Sequence, residues 1–128
     1  MLRERLIRYI ELSREQLQQI ETALVPVIDK GPLIVWGTGQ LTLKLLAETS
    51  LGRARIAAFV DGNPMNQDKT LVGVRVLAPE AIVGLPHPIL VSTLLHQRAI
   101  TERIRQQLGL KNAIITLESE PKTASVAS

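Results

Sequence analysis

Two glycines and a later acid have the types and spacing of a nucleotide-binding βα unit. The segment Gly37-Thr38-Gly39-Gln40 follows the apolar run Leu33–Trp36, and Asp61 ends a second apolar run about 20 residues later. Glycines allow a sharp turn after a strand and let a phosphate approach the next helix, whose first N–H groups favour an anion. An acid at the later position is placed to accept hydrogen bonds from ribose hydroxyls. The pattern favours a ligand that carries phosphate.

The glycine pattern is incomplete, because Thr42 stands where the motif G-x-G-x-x-G has its third glycine. In that motif the third glycine lets the helix pack closely on the strand, so we expect this helix to lie slightly farther from the sheet. A structural βα turn that binds nothing remains the alternative to a ligand site.

Several polar residues are expected at the same rim, where the strands end. Thr38 and Gln40 could contact a phosphate, although Gln40 could instead cap the helix. Asp61 could bind ribose or form an Asx turn that Asn63 helps to shape, and Ser92 follows a later strand. The predicted cofactor-binding residues are Gly37, Thr38, Gly39, Gln40, Asp61, Asn63 and Ser92.

No catalytic or metal-binding residue is predicted. The chain has no cysteine and two distant histidines, which do not form a metal cluster of ordinary spacing. His96 lies just past a strand end on the ligand rim, but no recognisable acid–base motif accompanies it, and a helix-start role is the simpler interpretation. Tyr9, the only tyrosine, has no lysine nearby, which argues against a small NAD-dependent oxidoreductase.

Short apolar runs alternate with helical patterns along the chain. Strands are predicted at residues 33–36, 55–60, 71–77, 88–91 and 113–117, and helices at residues 41–50, 80–83 and 96–108. This alternation predicts an α/β, Rossmann-like three-layer fold, in which a mostly parallel sheet of about five strands lies between helices. We expect a strand order near 3-2-1-4-5, with residues 71–77 as an edge strand or a hairpin.

A long helix is predicted before the first strand, over residues 2–28, with Pro26 ending or kinking it near Val25. Its heptad seam has one polar position, Ser13. The seam residues are Leu6, Ile10, Ser13, Leu17, Ile20, Leu24 and Val27. The seam could form a homodimer or connect to another domain, or the helix could lie on its own sheet. The predicted organisation is an N-terminal amphipathic helix at residues 1–30, a Rossmann-like nucleotide-binding domain at 31–117 and a disordered tail at 118–128.

Composition narrows the possible partners. The chain has 128 residues, enough for one core, and its net charge is +3 with the cations interleaved among acids. Aromatic residues make up 2%, so stacking on bases is not expected and a nucleic-acid partner is not predicted. No run of 18 apolar residues occurs, so no membrane span is predicted. The absence of cysteine fits a cytoplasmic location.

Beyond these patterns, the chain resembles a known domain. The motifs Val35-Trp36-Gly37-Thr38-Gly39 and Ala58-Phe59-Val60-Asp61-Gly62-Asn63-Pro64, continued at residues 73–80, 88–92 and 104–110, resemble the Rossmann-like domain at the C-terminus of some bacterial class I S-adenosylmethionine-dependent methyltransferases. Related domains form the C-terminal part of sugar C-methyltransferases and the nucleotide-sugar-binding part of some sugar acyltransferases. The resemblance implies that Gly37, Thr38, Gly39 and Asp61 line a nucleotide or nucleotide-sugar site.

The chain also departs from these relatives. It has no second Rossmann unit for methyl transfer, and no acid precedes Gly37 as in the usual S-adenosylmethionine motif. Gly62 stands where the family commonly has a larger polar residue. These departures fit a fragment, a stand-alone accessory domain or one half of a split enzyme. We predict an accessory domain, not catalytic alone, that binds a nucleotide or nucleotide sugar for a methyltransferase or sugar-modifying partner. The ligand stays open among a nucleotide sugar, NAD and S-adenosylmethionine. The alternatives are a structural dimerisation domain without ligand, or a small NAD-dependent oxidoreductase or epimerase.

Overall fold

A six-stranded sheet is the centre of the molecule. The computed structural model describes residues 12–117, and its strands lie in the spatial order β3-β4-β2-β1-β5-β6. Every neighbouring pair is parallel except β3 and β4, which form an antiparallel hairpin at one edge. The strands are β1 (Leu33–Trp36), β2 (Ile56–Val60), β3 (Thr70–Leu71), β4 (Val74–Leu77), β5 (Ile89–Val91) and β6 (Ile114–Thr116).

The five parallel strands, numbered along the chain, have the predicted order 3-2-1-4-5. Residues 71–77 are a hairpin rather than one strand, because the backbone turns at Val72 and Gly73 between β3 and β4. The predicted Rossmann-like α/β architecture is therefore confirmed, with one additional two-residue strand at the edge.

Helices and helical turns connect the strands. The α-helices are α1 (Arg14–Lys30), α2 (Gln40–Glu48) and α3 (Gln97–Glu102), and α3 continues directly into a π-helical turn (Arg103–Gln107). The 3-10 turns span Ser50–Arg53, Pro64–Asn66 and Pro79–Ile82. Gly109 has a positive φ of 66° just beyond the π-helical turn, where the predicted helix over 96–108 was expected to stop.

Two hydrophobic clusters cover the two faces of the sheet. Alternate residues of β1 point to opposite faces, so Leu33 and Val35 belong to the cluster with α1 and α2. Ile34 and Trp36 belong to the second cluster, which includes Ile104 of the π-helical turn. All four β1 side chains are buried, as expected of a central parallel strand. This packing fixes the carboxyl ends of the strands, where the candidate site lies.

Helix α1 differs from its prediction at both ends. Ser13 is not a position inside the helix but its N-cap, joined to Gln16 by reciprocal side-chain hydrogen bonds, so α1 begins at Arg14. Pro26 does not end the helix near Val25, because α1 continues through it to Lys30. A kink at Pro26, the other expectation, stays a prediction. Ile28, beyond Pro26, is buried in the core, and this packing offsets the hydrogen bond that proline cannot donate.

The buried face of α1 is directed at its own sheet. Ile20, Leu24 and Ile28, spaced by four residues, are buried in the same cluster as Leu33 and Phe59. Two of the predicted seam residues, Ile20 and Leu24, are therefore not available for a dimer contact. Leu6, Ile10 and the predicted tail at 118–128 lie outside the described residues.

Candidate functional site

A cleft of about 680 Å³ opens at the carboxyl ends of β1, β2 and β5. This is the end of a parallel sheet at which ligands bind, beside the point where the strand order reverses. All seven predicted site residues line it. The lining comprises Trp36, Gly37, Thr38, Gly39, Gln40, Leu41, Asp61, Gly62, Asn63, Ser92, Thr93, Leu94, Leu95, His96, Ala99, Ile100 and Arg103.

Gly37 makes the turn that carries the chain from β1 into the cleft. Its φ is +124°, a conformation that side-chain-bearing residues rarely adopt. A Cβ at this position would lie 2.6 Å from the Ser92 hydroxyl oxygen, too close for any real contact. The Gly37 N–H donates to the Val60 carbonyl at 2.7 Å, so the turn is also tied to β2. Glycine at 37 is thus required by the fold itself.

Two buried hydroxyl groups, those of Thr42 and Ser92, form hydrogen bonds with the backbone of this turn. Thr42 of α2 donates to the Gly37 carbonyl at 3.0 Å, and its oxygen lies 2.7 Å from the Ser92 hydroxyl. The Ser92 hydroxyl also bonds the Trp36 carbonyl at 3.0 Å. Thr42 and Ser92 are both buried, so their hydroxyls hold the loop and join α2 to β1 and β5. A direct contact between Ser92 and a ligand stays a prediction.

In the sequence, Thr42 was noted only because it stands where the motif has its third glycine. Its hydroxyl has a structural role that the motif comparison did not reveal, because its partner Ser92 is 50 residues away in the chain. A serine or threonine at both positions was the only signal that could have indicated the pair.

Gly39 differs from Gly37 in having no local reason to be glycine. Its φ and ψ, −86° and −164°, suit any residue, and a Cβ there would meet nothing within 4 Å. Gly39 is the N-cap of α2 and supplies no side-chain hydrogen bond to the first turn. Gln40 is the first residue of the helix rather than its cap, so the alternative role considered for it was wrong. The first turn of α2 therefore lines the cleft, and its first N–H groups have no side-chain cap.

Asp61 joins two loops of the rim. One carboxylate oxygen accepts from the Thr38 hydroxyl at 2.5 Å and from the Asn66 amide at 3.0 Å. The other accepts from the Asn63 backbone N–H at 2.8 Å, which is the expected Asx turn. A carboxylate has about four acceptor positions, and these bonds use three, so one acceptor position remains. Binding of ribose by Asp61 stays a prediction.

Arg103 lines the cleft and was not singled out in the sequence. It lies on the π-helical turn, and its Nη2 donates to Glu80 at 3.3 Å. A Cβ built on Gly62 would lie 3.3 Å from Nη1, so the guanidinium rests beside this glycine. Arg103 Nε is buried and has no hydrogen-bond partner among the described residues. Only the packing of the helix across the sheet brings Arg103 to Glu80 and Gly62.

The remaining lining is mostly apolar. Leu94, Leu95, Ala99 and Ile100 form one wall, and Leu95 is 75% exposed, unusually open for a leucine. His96 also lines the cleft, and it begins α3 as its N-cap residue without making a side-chain cap. Across residues 12–117 no three potential ligands converge on a metal site, and no helix there is long and apolar enough to cross a bilayer.

Comparison with known proteins bears on the fold. No protein-family model matches the sequence, and no curated protein sequence does. The structure is similar to the crystal structure of UDP-D-quinovosamine 4-dehydrogenase from Vibrio fischeri, with a TM-score of 0.53 and 16% identity over 76% of this chain and 85% of that chain. The fold is Rossmann-like.

The similarity to the Vibrio fischeri protein does not support several of the finer predictions. At 16% identity the comparison establishes the fold alone. It provides no support for a methyltransferase association or for a homodimer, which remain predictions. The division of the chain at residues 30 and 117 is likewise a prediction.

Proposed function

We propose that the cleft binds a nucleoside diphosphate, in the form of a nucleotide sugar. The diphosphate lies on the first turn of α2, and the ribose lies against Asp61. The observation that carries this proposal is Gly39, a glycine with ordinary dihedral angles and no neighbour near its missing Cβ, at the uncapped start of a helix. A closely approaching phosphate accounts for both features, since it needs the space and bonds the free N–H groups.

The charges around α2 support an anionic ligand. No acid occurs in the first turn of the helix, so its positive dipole end is not neutralised there. The nearby Asp61 carboxylate is held by Thr38, Asn63 and Asn66 at the neighbouring strand end. Its remaining acceptor position suits a ribose hydroxyl, which can donate a hydrogen bond that a phosphate cannot.

The class of ligand is supported by two further facts. The structurally similar Vibrio fischeri protein is named as a dehydrogenase of a UDP sugar. The cleft, at about 680 Å³, falls within the size range of small-molecule sites and has an apolar wall for a base. We therefore propose that the chain is a nucleotide-sugar-binding domain that serves a sugar-modifying enzyme. That enzyme could be a methyltransferase, but this version of the proposal has less support.

A second candidate is an NAD-dependent oxidoreductase. It is favoured by the name of the same neighbour and by the diphosphate and ribose that NAD shares with a nucleotide sugar. Hydride transfer also needs a group that takes or gives a proton. The titratable side chains that line the described cleft are those of Asp61, His96 and Arg103. Since Asp61 is assigned to the ribose and an arginine stays protonated, His96 would have to serve. The nucleotide-sugar proposal requires no such role.

The two candidates are separated by thermal unfolding of the full chain with UDP-N-acetylglucosamine, UDP, NAD and S-adenosylmethionine. A ligand at one hundred times its Kd stabilises by about 2.7 kcal/mol, a shift of several degrees for a chain of this size. We expect a shift with UDP and its sugar, and none with S-adenosylmethionine, which has no phosphate. A shift with NAD alone would favour the oxidoreductase. The absence of a shift with every diphosphate would contradict both.

A further inference from the structure

We infer that Arg103 selects the base of the nucleotide, favouring a base with a carbonyl oxygen at its outer edge over one with an amino group. Uracil is such a base, and cytosine is its counterpart with an amino group. The inference rests on the proposed function, because it assumes that a nucleotide lies in the cleft with its ribose at Asp61. It concerns a residue that neither the sequence motifs nor the fold comparison assigns.

The position of Arg103 along the rim places it beyond the ribose. Gly39 follows β1, Asp61 and Gly62 follow β2, and Glu80 follows β4. These strands are neighbours in the order β4-β2-β1, so the rim runs from Gly39 past Asp61 towards Glu80. The guanidinium of Arg103 is held between Gly62 and Glu80. A nucleotide with its phosphates at Gly39 and its ribose at Asp61 therefore directs its base towards Arg103.

The surface before Arg103 suits a flat ring. Ala99 and Ile100 precede Arg103 by four and three residues, a spacing that puts side chains on one side of a helix. All three line the cleft. An apolar surface next to a guanidinium can cover the face of a base while the cation meets its edge.

The chemistry of the guanidinium decides which edge fits. Arginine carries five N–H donors and no acceptor, so it bonds carbonyl oxygens and opposes amino groups. Glu80 accepts from Nη2 and orients the group without using all of its donors. Uracil presents O4 at the edge away from the sugar, where cytosine presents an amino group. The guanidinium therefore favours uracil through O4, while the two pyrimidines match in size.

Two features of the free protein support a ligand role for Arg103 rather than a structural one. Its buried Nε has no partner within the described residues, and unsatisfied buried donors call for an explanation such as function. Gly62 has no Cβ, and this leaves the room that the guanidinium occupies. A Cβ at that position would approach Nη1 to 3.3 Å, a tight contact.

The test compares the affinities of UDP and CDP for the full chain by calorimetry. We expect the unmodified protein to bind UDP about tenfold more tightly than CDP, the discrimination typical of one well-placed arginine contact. In Arg103→Met the two affinities should come within about twofold of each other, mainly through weaker binding of UDP. Arg55→Met is the matched control, because it removes an exposed cation just before β2, at the opposite edge of the sheet, and should keep the preference.

A second variant covers the case in which Arg103→Met fails to fold. Gly62→Ala adds a methyl group beside Nη1 and should reduce the preference for UDP to an intermediate value. Equal affinities of the unmodified protein for UDP and CDP would overturn the assignment of Arg103 and leave the proposed function intact. An equal loss of affinity for UDP and CDP in Arg103→Met would also overturn it, since that result indicates that Arg103 contacts the phosphates. Failure of the unmodified protein to bind either nucleotide would contradict the proposed function itself.

Discussion

The Thr38 hydroxyl donates a hydrogen bond to the Asp61 carboxylate with an oxygen–oxygen distance of 2.5 Å. The bond joins the loop after β1 to the loop after β2 across the floor of the cleft. Because the proposed diphosphate site belongs to the first loop and the proposed ribose site to the second, this bond sets the distance between them. A nucleotide would thus meet a site that is already arranged.

Replacement of Thr38 by valine should loosen both loops. The change removes a charge-assisted hydrogen bond, so the free energy of unfolding should fall. Because the pair is only partly buried, we expect a fall of about 1 kcal/mol rather than the larger value of a fully buried bond. Affinity for UDP should fall several-fold. Thermal unfolding and calorimetry check both, with Thr38→Ser as the control that keeps the hydroxyl. Equal behaviour of the valine and serine variants would show that the bond does not organise the site.

Gly37 and Ser92 should show strong coupling in a double-mutant cycle. Gly37→Ala forces an unfavourable φ and brings a Cβ against the Ser92 hydroxyl, so it should destabilise the chain by about 1–3 kcal/mol or more. Ser92→Ala removes the oxygen with which that Cβ collides, at the cost of its own buried hydrogen bonds. The double variant should therefore be more stable than the sum of the single effects by about 1 kcal/mol. Chemical denaturation measures this, and strict additivity would contradict the contact.

Much of the fold could be predicted because local patterns determined it. The apolar run of β1, the glycine turn and the acid after β2 each follow from short-range spacing, and the cleft contains all the residues that these motifs indicated. Helix α1 shows the limit of such patterns. A heptad seam describes which side of a helix is apolar, but the partner of that side depends on long-range packing, which here is the chain's own sheet.

The residues that sequence reasoning missed act through distant partners. Thr42 meets Ser92, and Arg103 meets Glu80 and Gly62, across separations that periodicity cannot detect. Ser13 is a different case, because its partner Gln16 is only three residues away: the seam placed Ser13 inside a helix, whereas its capping bonds with Gln16 make it the start of the helix. In each case a polar side chain has a specific partner, and hydrophobic patterns carry no information about that partner.

Val72 offers a stabilising substitution far from the cleft. It has a φ of +43° and, with Gly73 at +81°, forms the tight turn between β3 and β4. Both central residues have positive φ, as in the type I′ turns that favour Asn-Gly. Val72→Asn should raise the free energy of unfolding by about 1 kcal/mol and leave UDP affinity unchanged, since the turn lies at the amino end of β4 and the cleft at the carboxyl ends of the strands. Val72→Thr should give no such gain, and a gain equal to that of asparagine would contradict the strain.

Glu21 should make stability depend on acid pH. Hydrogen bonds from the Ser50 hydroxyl and backbone N–H, together with Arg53, lower the pKa of Glu21 below its ordinary value of 4.5. The stabilisation is therefore fully present above pH 4.5 and is lost as the pH falls through the lowered pKa. Glu21→Gln should reduce the Tm at pH 7, and the difference from the unmodified chain should shrink below pH 4.

Melting curves at pH 7 and pH 3 test the role of Glu21. Glu48→Gln is a suitable control, because its pair with Lys44 is exposed and should change the Tm little. A Tm difference for Glu21→Gln that stays constant between the two pH values would contradict the link between Glu21 and Ser50.

The most direct test of the central claim is the affinity of Gly39→Asp for UDP, measured by calorimetry together with its Tm. An aspartate at the N-cap bonds the first N–H groups of α2 and favours the helix dipole, so the Tm should stay the same or rise. The same carboxylate occupies the proposed phosphate position and repels an anion, so UDP affinity should fall at least about 100-fold. A folded Gly39→Asp variant that binds UDP as tightly as the unmodified chain would show that the diphosphate does not lie on α2.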